Sequence, residues 1–185
     1  MTPLTQLLEA ALFAAAHPLT LEELGLVAPE SSPAEIGEAL AALRAHYTEG
    51  GHAVELVEVS DGYQLLTRAH LAEAVAEAQL VRRPRKLSQA ALETLALIAY
   101  RQPVSRAEIE EIRGVSVEGV LRSLQERGIV ASIGRGEGLG RPLLYGTTPL
   151  FLELLGLRSH EDLPRLDELA VALRPPSELG EMAER

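Results

Sequence analysis

A glycine-rich stretch is the part of this sequence that comes nearest to a site for phosphate chemistry. Residues 134–140 read Gly-Arg-Gly-Glu-Gly-Leu-Gly and follow a β-rich segment. A dinucleotide-binding loop needs its third glycine where Leu139 stands, or at Arg141 if the count starts from Gly136. No Gly-Lys-Ser/Thr follows, and the next predicted element is a strand, so no helix N-terminus would face a phosphate. We therefore predict that the stretch is the tip of a β-hairpin.

The other side chains that could do chemistry form no recognisable catalytic or metal-binding set. The five histidines, at positions 17, 46, 52, 70 and 160, lie in different elements, and no pair has the helical spacing of metal ligands. The absence of cysteine excludes disulfides, thiol catalysis and cysteine zinc sites. Serines stand at predicted helix N-caps, where their hydroxyls are already engaged. The sequence thus predicts no catalytic residue, no metal site, no cofactor and no enzymatic activity.

Basic residues raise the question of nucleic-acid binding, because phosphate contacts need arginine or lysine. Residues 82–86 read Arg-Arg-Pro-Arg-Lys. This segment could be a nucleic-acid patch, a solvated hinge or a clamp on the acidic first half, and its proline favours a linker. Further along, one predicted helix carries polar side chains of both signs: Glu118, Arg122, Gln125, Glu126 and Arg127. Weak DNA contact and a merely solvated face both fit that pattern.

The elements that position these residues occur twice. Leu7–Leu24 and Leu92–Ile109 share one order: an apolar helix, a break with proline, a hydroxyl cap and an acidic helix start. Residues 17–20, His-Pro-Leu-Thr, correspond to residues 102–105, Gln-Pro-Val-Ser. Self-similarity of this kind identifies repeated units. Here it indicates two tandem copies of a small module.

Each copy is predicted to contain three helices followed by a β-hairpin. Helical spacing of apolar residues marks the helices, and the hairpins are predicted within residues 53–67 and 129–145. Gly25 suits the left-handed position just beyond the second helix of the first copy, and Gly114 ends the second helix of the other copy. The predicted N-caps are Thr20, Ser32, Ser88, Ser105 and Ser116. The fold class is therefore mainly α with small β-hairpins (α+β), in tandem duplicated winged helix-turn-helix domains.

This pattern predicts an N-terminal winged-helix domain over 1–80, a basic linker over 81–87, a C-terminal winged-helix domain over 88–164 and a polar, flexible tail over 165–185. Residues 1–80 hold 12 acidic and 2 basic residues, whereas residues 81–185 hold 15 of each. The acidic domain should repel phosphate. Apolar runs are too short for a membrane span and no secretory signal is visible, so we expect a cytoplasmic protein without membrane association.

Three separated strings in the second domain resemble one protein family. They are LSQAALETLALIAY at 87–100, RQPVSRAEIEEIRGV at 101–115 and GRPLLYGTT at 140–148. In this order they closely resemble segregation and condensation protein B, the ScpB family. Residues 151–157 and 162–164 extend the resemblance, whereas the first half is similar in pattern only.

The resemblance implies a non-enzymatic accessory subunit. Members of the family are homodimers with two winged-helix domains per chain. They bind the kleisin subunit ScpA, which bridges the heads of an SMC ATPase, and the complex condenses and segregates bacterial chromosomes. The resemblance therefore implies a cytoplasmic, nucleoid-associated protein that contacts the SMC ATPase through the kleisin and DNA only indirectly or weakly.

Residue by residue, the resemblance implies kleisin binding in the second domain and dimerisation mainly in the first. The implied kleisin surface lies near Arg106, Glu110, Arg113, Arg141 and Tyr145. Arg113 and Tyr145 have structural alternatives, since one could satisfy carbonyls beyond the turn at Gly114 and the other could pack the hairpin on the core.

For dimerisation the candidate is the first helix, if one of its stripes is exposed. That stripe contains Leu4, Leu8 and Leu12. The alternative is that these three leucines belong to the core.

A winged-helix transcription regulator is the alternative function. It would need a basic recognition face and would bind duplex DNA with a steep dependence on salt.

Overall fold

A computed structural model describes residues 1–78, 86–137 and 140–165. The predicted linker falls largely, and the predicted tail almost entirely, outside these residues. The boundaries of the two domains therefore stay a prediction. Residues 1–78 are called the first unit below, and residues 86–165 the second unit.

Three helices of the first unit begin at hydroxyl side chains. They are α1 (Pro3–Ala14), α2 (Leu21–Val27) and α3 (Pro33–Glu49). Thr2, Thr20 and Ser32 each accept the N–H of the residue three positions on, which satisfies one of the free donors at a helix start. The predicted N-caps at Thr20 and Ser32 are confirmed.

A β-hairpin follows these helices, with β1 (Val54–Val59) antiparallel to β2 (Gly62–Thr67). Ser60 and Asp61 join the strands with φ of 51° and 55°, the conformation of a tight two-residue hairpin turn. A 3₁₀ turn and α4 (Ala72–Ala78) complete the unit. Its core is a cluster of buried side chains: Leu8, Leu12, Leu24, Ile36, Leu40, Leu43, Tyr47 and Leu56.

The second unit repeats this order with one added strand. Its elements are α5 (Gln89–Arg101), β3 (Val104–Ser105), α6 (Arg106–Arg113), α7 (Glu118–Glu126), β4 (Val130–Arg135), β5 (Leu143–Thr147) and α8 (Pro149–Leu155). The sheet order is β3-β5-β4, antiparallel throughout. A separate core includes Leu95, Ile98, Ile109, Val117, Leu121, Leu124 and Phe151. Within the described residues, no helix has the length and apolar character needed to cross a membrane.

The repeat is visible in the backbone pairing as well as in the sequence. In the first unit Leu19 forms an isolated antiparallel bridge with Tyr63. In the second unit the corresponding Val104 pairs with Tyr145 in the same sense. Each unit therefore ties the start of its second helix to the return strand of its hairpin. The predicted fold class, tandem winged helix-turn-helix units with small hairpins, is confirmed.

Two local predictions are wrong. Gly25 does not end α2 but lies inside it, because the helix continues to Val27. Ser116 is not the N-cap of α7, since Val117 takes that position. The Ser116 hydroxyl instead donates to the carboxylate of Glu110, which also accepts the N–H of Val117. A carboxylate from the preceding helix thus replaces the expected hydroxyl cap.

The two units touch through the β1–β2 turn. The N–H of Ser60 donates to the carbonyl of Leu157 at 2.9 Å, and the N–H of Asp61 donates to the carbonyl of Arg158 at 2.8 Å. The Ser60 hydroxyl also donates to the carbonyl of Pro149 at 3.3 Å. The hairpin tip of the first unit is therefore bonded to the segment that follows α8 in the second.

Candidate partner-binding surface

Charged side chains of both signs cluster on the second unit along α6 and α7. We call this the α6–α7 polar surface and define it by Arg106, Glu110, Glu118, Arg122 and Tyr145. Arg106 Nε lies 4.0 Å from Glu110 Oε2, and Arg106 Nη1 lies 3.8 Å from Glu118 Oε2. Arg122 Nη2 lies 3.5 Å from Glu118 Oε1. The structure thus brings together three of the five residues implied for the kleisin surface: Arg106, Glu110 and Tyr145.

Two interactions of Ser105, a helix cap and a strand pairing, set the position of this surface. Ser105 is the N-cap of α6, and its N–H and hydroxyl both donate to the Glu108 carboxylate, which makes Arg106 the first helical residue. Ser105 also pairs with Leu144 in the sheet, which fixes the helix start beside β5. Tyr145 follows on β5, the central strand. The capping box starts α6 at Arg106 and the pairing of Ser105 holds that start against β5, so Arg106 and Tyr145 line the same hollow.

A shallow hollow of about 210 Å³ lies within the α6–α7 polar surface. Its lining comes from the helix starts and the central strand: Arg106, Glu118, Leu121, Arg122, Gln125 and Tyr145. Tyr145 is half-buried and also packs against the hydrophobic core. The position of Tyr145 is therefore compatible with both proposed roles, contact with a partner and packing of the hairpin on the core. One face of the side chain packs against the core and another lines the hollow.

Arg113 stands at the other end of α6 and faces α5. Its Nη1 donates to the carbonyl of Ala90 and to the hydroxyl of Thr94, both at 3.0 Å, and its Nη2 lies 2.8 Å from Glu93 Oε2. Only 16% of the side chain is exposed. These contacts support the structural alternative, although the carbonyl that Arg113 satisfies belongs to α5 and not to the turn at Gly114.

Arg141 lies on the β4–β5 connection, just before β5 begins. It is exposed, its φ is 40°, and its carbonyl accepts a hydrogen bond from Arg135 Nη1 at 3.4 Å. It does not line the hollow. Arg141 is therefore a neighbour of Tyr145 along the chain, and its part in a partner surface stays a prediction.

The leucine stripe proposed for dimerisation is corrected by the structure. Leu8 is 0% exposed and Leu12 is 2% exposed, because both pack into the core of the first unit, and Leu4 is half-buried against the same core. The condition that this stripe be exposed is not met. The apolar side chains that α1 does expose are Leu7 and Phe13, at 45% and 84%. Sequence periodicity identified the stripe but not the side of the helix that faces solvent.

Shifts in pKa within the described residues have structural causes. The N–H and hydroxyl of Thr20 lower the pKa of Glu23, those of Ser32 lower the pKa of Glu35, and the hydroxyl and then the N–H of Ser105 lower the pKa of Glu108. Burial, followed by a hydrogen bond to the Glu9 carboxylate, raises the pKa of Tyr47 to about 12.

All four groups therefore serve helix starts or the packing of α1 on α3. Among residues 1–78, 86–137 and 140–165, no three histidine or carboxylate side chains are grouped as metal ligands.

Two units of three helices and a hairpin, one bearing a mixed-charge hollow, place the chain in the class of tandem winged-helix proteins. The family model of the "Segregation and condensation complex subunit ScpB" matches residues 6–166. The chain therefore belongs to the ScpB family, whose members are subunits for chromosome segregation and condensation.

Named relatives cover most of the chain. Segregation and condensation protein B of Syntrophotalea carbinolica is 48% identical over 165 residues, which are 89% of this chain and 83% of that protein. The Moorella thermoacetica protein of the same name is 44% identical over 173 residues, 94% and 88% of the two chains. Among solved structures, the crystal structure of ScpB from Mycobacterium tuberculosis is 37% identical with a TM-score of 0.40, and the match covers 83% of this chain and 95% of that one.

Proposed function

We propose that the chain is a non-enzymatic subunit of the bacterial SMC complex that works as a homodimer and binds the kleisin ScpA. The kleisin connects it to the SMC ATPase, and its contact with DNA is indirect or weak. In this role it supports condensation and segregation of the chromosome at the nucleoid. The observation that carries the proposal is the α6–α7 polar surface, together with membership of the ScpB family.

The ion pairs within the α6–α7 polar surface are exposed enough to be replaced by ion pairs to a partner. Arg106, Glu118 and Arg122 have side chains that are 53%, 62% and 70% exposed. An ion pair at such exposure stabilises a fold by about 0–1 kcal/mol, because water screens both charges. Replacing one of these ion pairs with an ion pair to a partner therefore costs little free energy. Because charges of both signs are present, they favour a partner whose surface carries the opposite charges at matching positions.

The same pairs argue for a protein partner over DNA. In a winged helix-turn-helix protein that binds DNA, the third helix enters the major groove. Here that helix is α7, and its first residue is Glu118, which pairs with both Arg106 and Arg122. A carboxylate at that position would repel phosphate and already neutralises the nearest arginines.

Apolar side chains on the first unit support the homodimer. Phe13 on α1 is 84% exposed and Leu26 on α2 is 78% exposed. Exposed apolar side chains of this size mark interaction surfaces when they lie near one another, and α1 packs directly on α2. We therefore assign dimerisation to the exposed face of α1 and α2 instead of the buried leucine stripe.

Titration calorimetry with a central fragment of ScpA tests the kleisin assignment. Arg106→Glu should weaken binding at least about tenfold, which is about 1.4 kcal/mol, because it replaces an attractive charge with a repulsive one in the hollow. The control is Arg101→Glu, an equal charge reversal at an exposed residue of α5 outside this surface. No binding by the unaltered protein, or equal weakening by both variants, would contradict the assignment.

A gel-shift experiment addresses the transcription-regulator alternative. The unaltered protein should bind duplex DNA weakly and without sequence preference at moderate salt. Tight, sequence-selective binding would favour the regulator.

A further inference from the structure

The arginines of the α6–α7 polar surface are held less closely than two other arginines of the second unit. In one of these, Arg113, Nη2 lies 2.8 Å from Glu93 Oε2. The other, Arg158, donates to both carboxylate oxygens of Asp162, at 3.0 Å from Nε and at 2.9 Å from Nη2. Distances of this size are typical of charge-assisted hydrogen bonds between a guanidinium and a carboxylate. Both arginines therefore use their N–H donors on a partner within the chain.

Arg106 and Arg122 form ion pairs but no hydrogen bond with the residues that the structure describes. Arg106 Nη1 and Arg122 Nη2 lie 3.8 Å and 3.5 Å from the two carboxylate oxygens of Glu118. Arg106 Nε lies 4.0 Å from Glu110 Oε2. A guanidinium carries five N–H donors in a planar fork. The donors of these two arginines are therefore left for water or for a partner.

The carboxylates of the same surface are already engaged. Glu110 Oε1 accepts the hydroxyl of Ser116 at 3.2 Å and the N–H of Val117 at 3.1 Å, and so it holds the start of α7. Glu118 is shared between the two guanidiniums. Gln125 also lines the hollow, and its side-chain amide can donate. The free hydrogen-bonding capacity of the hollow is therefore mostly that of donors, and they need an acceptor.

We propose that the hollow between Arg106 and Arg122 binds the carboxylate of an aspartate or glutamate side chain of the partner protein, and that Glu118 fills this place before the partner arrives. The inference rests on the proposed function, since it names the group that the partner brings to this surface. A carboxylate matches the donor fork of arginine in shape as well as in charge. The hollow of about 210 Å³ is several times the roughly 30 Å³ that a water molecule fills, so it admits a side-chain carboxylate.

Calorimetric titration with the central fragment of ScpA tests the role of Glu118. Glu118→Gln keeps the size of the side chain but removes the competing charge, so it should tighten binding about two- to fivefold, the equivalent of one exposed ion pair. Arg122→Gln should weaken binding about tenfold, because it removes a donor fork and a positive charge. The control is Glu111→Gln, the same change at an exposed glutamate of α6 that does not line the hollow, and it should leave the affinity unaltered.

Changes on the fragment identify the partner's carboxylate. Each aspartate and glutamate of the fragment is replaced by its amide, one at a time. One of these changes should weaken binding to the unaltered protein about tenfold but weaken binding to Arg122→Gln much less, because residues in contact have non-additive effects. If every change has the same effect on both proteins, no carboxylate of the fragment contacts Arg122 and the inference is wrong.

The outcomes separate this inference from the proposed function. If the unaltered protein does not bind the fragment, both are contradicted. If it binds but Glu118→Gln weakens the affinity or leaves it unchanged, only the inference is overturned. A gel shift with Glu118→Gln covers the remaining class of anion: a larger gain in affinity for duplex DNA than for the fragment would assign the hollow to phosphate and would also overturn the inference.

Discussion

The guanidinium of Arg113 holds the buried hydroxyl of Thr94, with Nη1 donating to Oγ1 at 3.0 Å. The same nitrogen donates to the carbonyl of Ala90, and Nη2 pairs with Glu93. One side chain at the end of α6 therefore binds three groups on α5. The family resemblance put Arg113 near a partner, whereas its contacts describe a residue that joins two helices.

Replacing Arg113 should destabilise the second unit. Arg113→Met keeps much of the side chain's apolar length but removes the donors to Ala90 and Thr94, so we expect the free energy of unfolding to fall by roughly 1–3 kcal/mol. Denaturant titration followed by circular dichroism measures this loss. Arg122→Met is the control, since that arginine is exposed and should change stability by less than about 0.5 kcal/mol. If both changes lowered the free energy of unfolding equally, the proposed structural role of Arg113 would be wrong.

Acid should weaken the three capping boxes. The pKa values of Glu23, Glu35 and Glu108 are lower in the folded protein than in the unfolded chain, because hydroxyl and N–H donors bind their carboxylates. A carboxylate whose pKa is lowered on folding stabilises the folded protein at pH values above its unfolded pKa of about 4.3. This stabilisation is lost as the pH falls through the folded pKa. Thermal unfolding midpoints between pH 7 and pH 3 should therefore decrease below about pH 4.5.

Charge-removing variants isolate that effect. Glutamine at all three capping positions keeps a hydrogen-bonding partner but cannot be protonated in this range, so the triple variant should show a shallower decrease. The control removes the same number of charges at exposed glutamates outside the capping boxes: Glu38, Glu77 and Glu126. If the two triple variants follow the same pH curve, the capping carboxylates are not responsible.

Two glycines should respond to alanine in opposite directions. Gly25 lies inside α2 with nothing within 4 Å of an added Cβ, so Gly25→Ala should stabilise the first unit by about 0.4–1 kcal/mol. Gly114 ends α6 with φ of 68°, so Gly114→Ala should cost roughly 1–2 kcal/mol. Differential scanning calorimetry compares both variants with the unaltered protein. A destabilised Gly25→Ala would show that the end of α2 is wrongly placed.

Substitutions at a buried and at an exposed apolar residue of α1 should affect folding and dimerisation separately. Leu8→Ala should cost about 2–5 kcal/mol of folding stability, because it opens a cavity in the core of the first unit. Phe13→Glu changes an 84% exposed residue and should leave the circular dichroism spectrum unaltered. Light scattering after size exclusion should give twice 19.9 kDa for the unaltered protein and a lower mass for Phe13→Glu. An unchanged mass would place the dimer contact elsewhere.

Sequence patterns that act over a few residues predicted the fold well. The capping pairs Thr20 with Glu23 and Ser105 with Glu108 act within one turn, so their types and spacing are sufficient to identify them. The cap of α7 was missed because its carboxylate comes from Glu110 on another helix. The strand β3 was missed because two residues are too few for a pattern, and its partner β5 lies far along the chain.

The candidate surface was predicted less completely, for a related reason. Arg106 and Tyr145 came from the family resemblance, and pairing between β3 and β5 brings their elements together. Glu118 and Arg122 were recognised only as charges on one helix, because their ion pairs depend on how α7 packs against α6. Periodicity on α1 showed that Leu8 and Leu12 share a face with Leu4, but which face is covered depends on the packing of α3.

The β1–β2 turn connects the two units almost entirely through main-chain groups. The N–H groups of Ser60 and Asp61 meet the carbonyls of Leu157 and Arg158, so these two bonds use no side-chain atom, although the positive φ at 60 and 61 restricts which residues can form the turn. Proline at 60 or 61 would remove a donor, since it lacks the N–H. Substitutions that keep the turn conformation should therefore leave both main-chain bonds in place, and comparing residue identities alone would underestimate the importance of this junction.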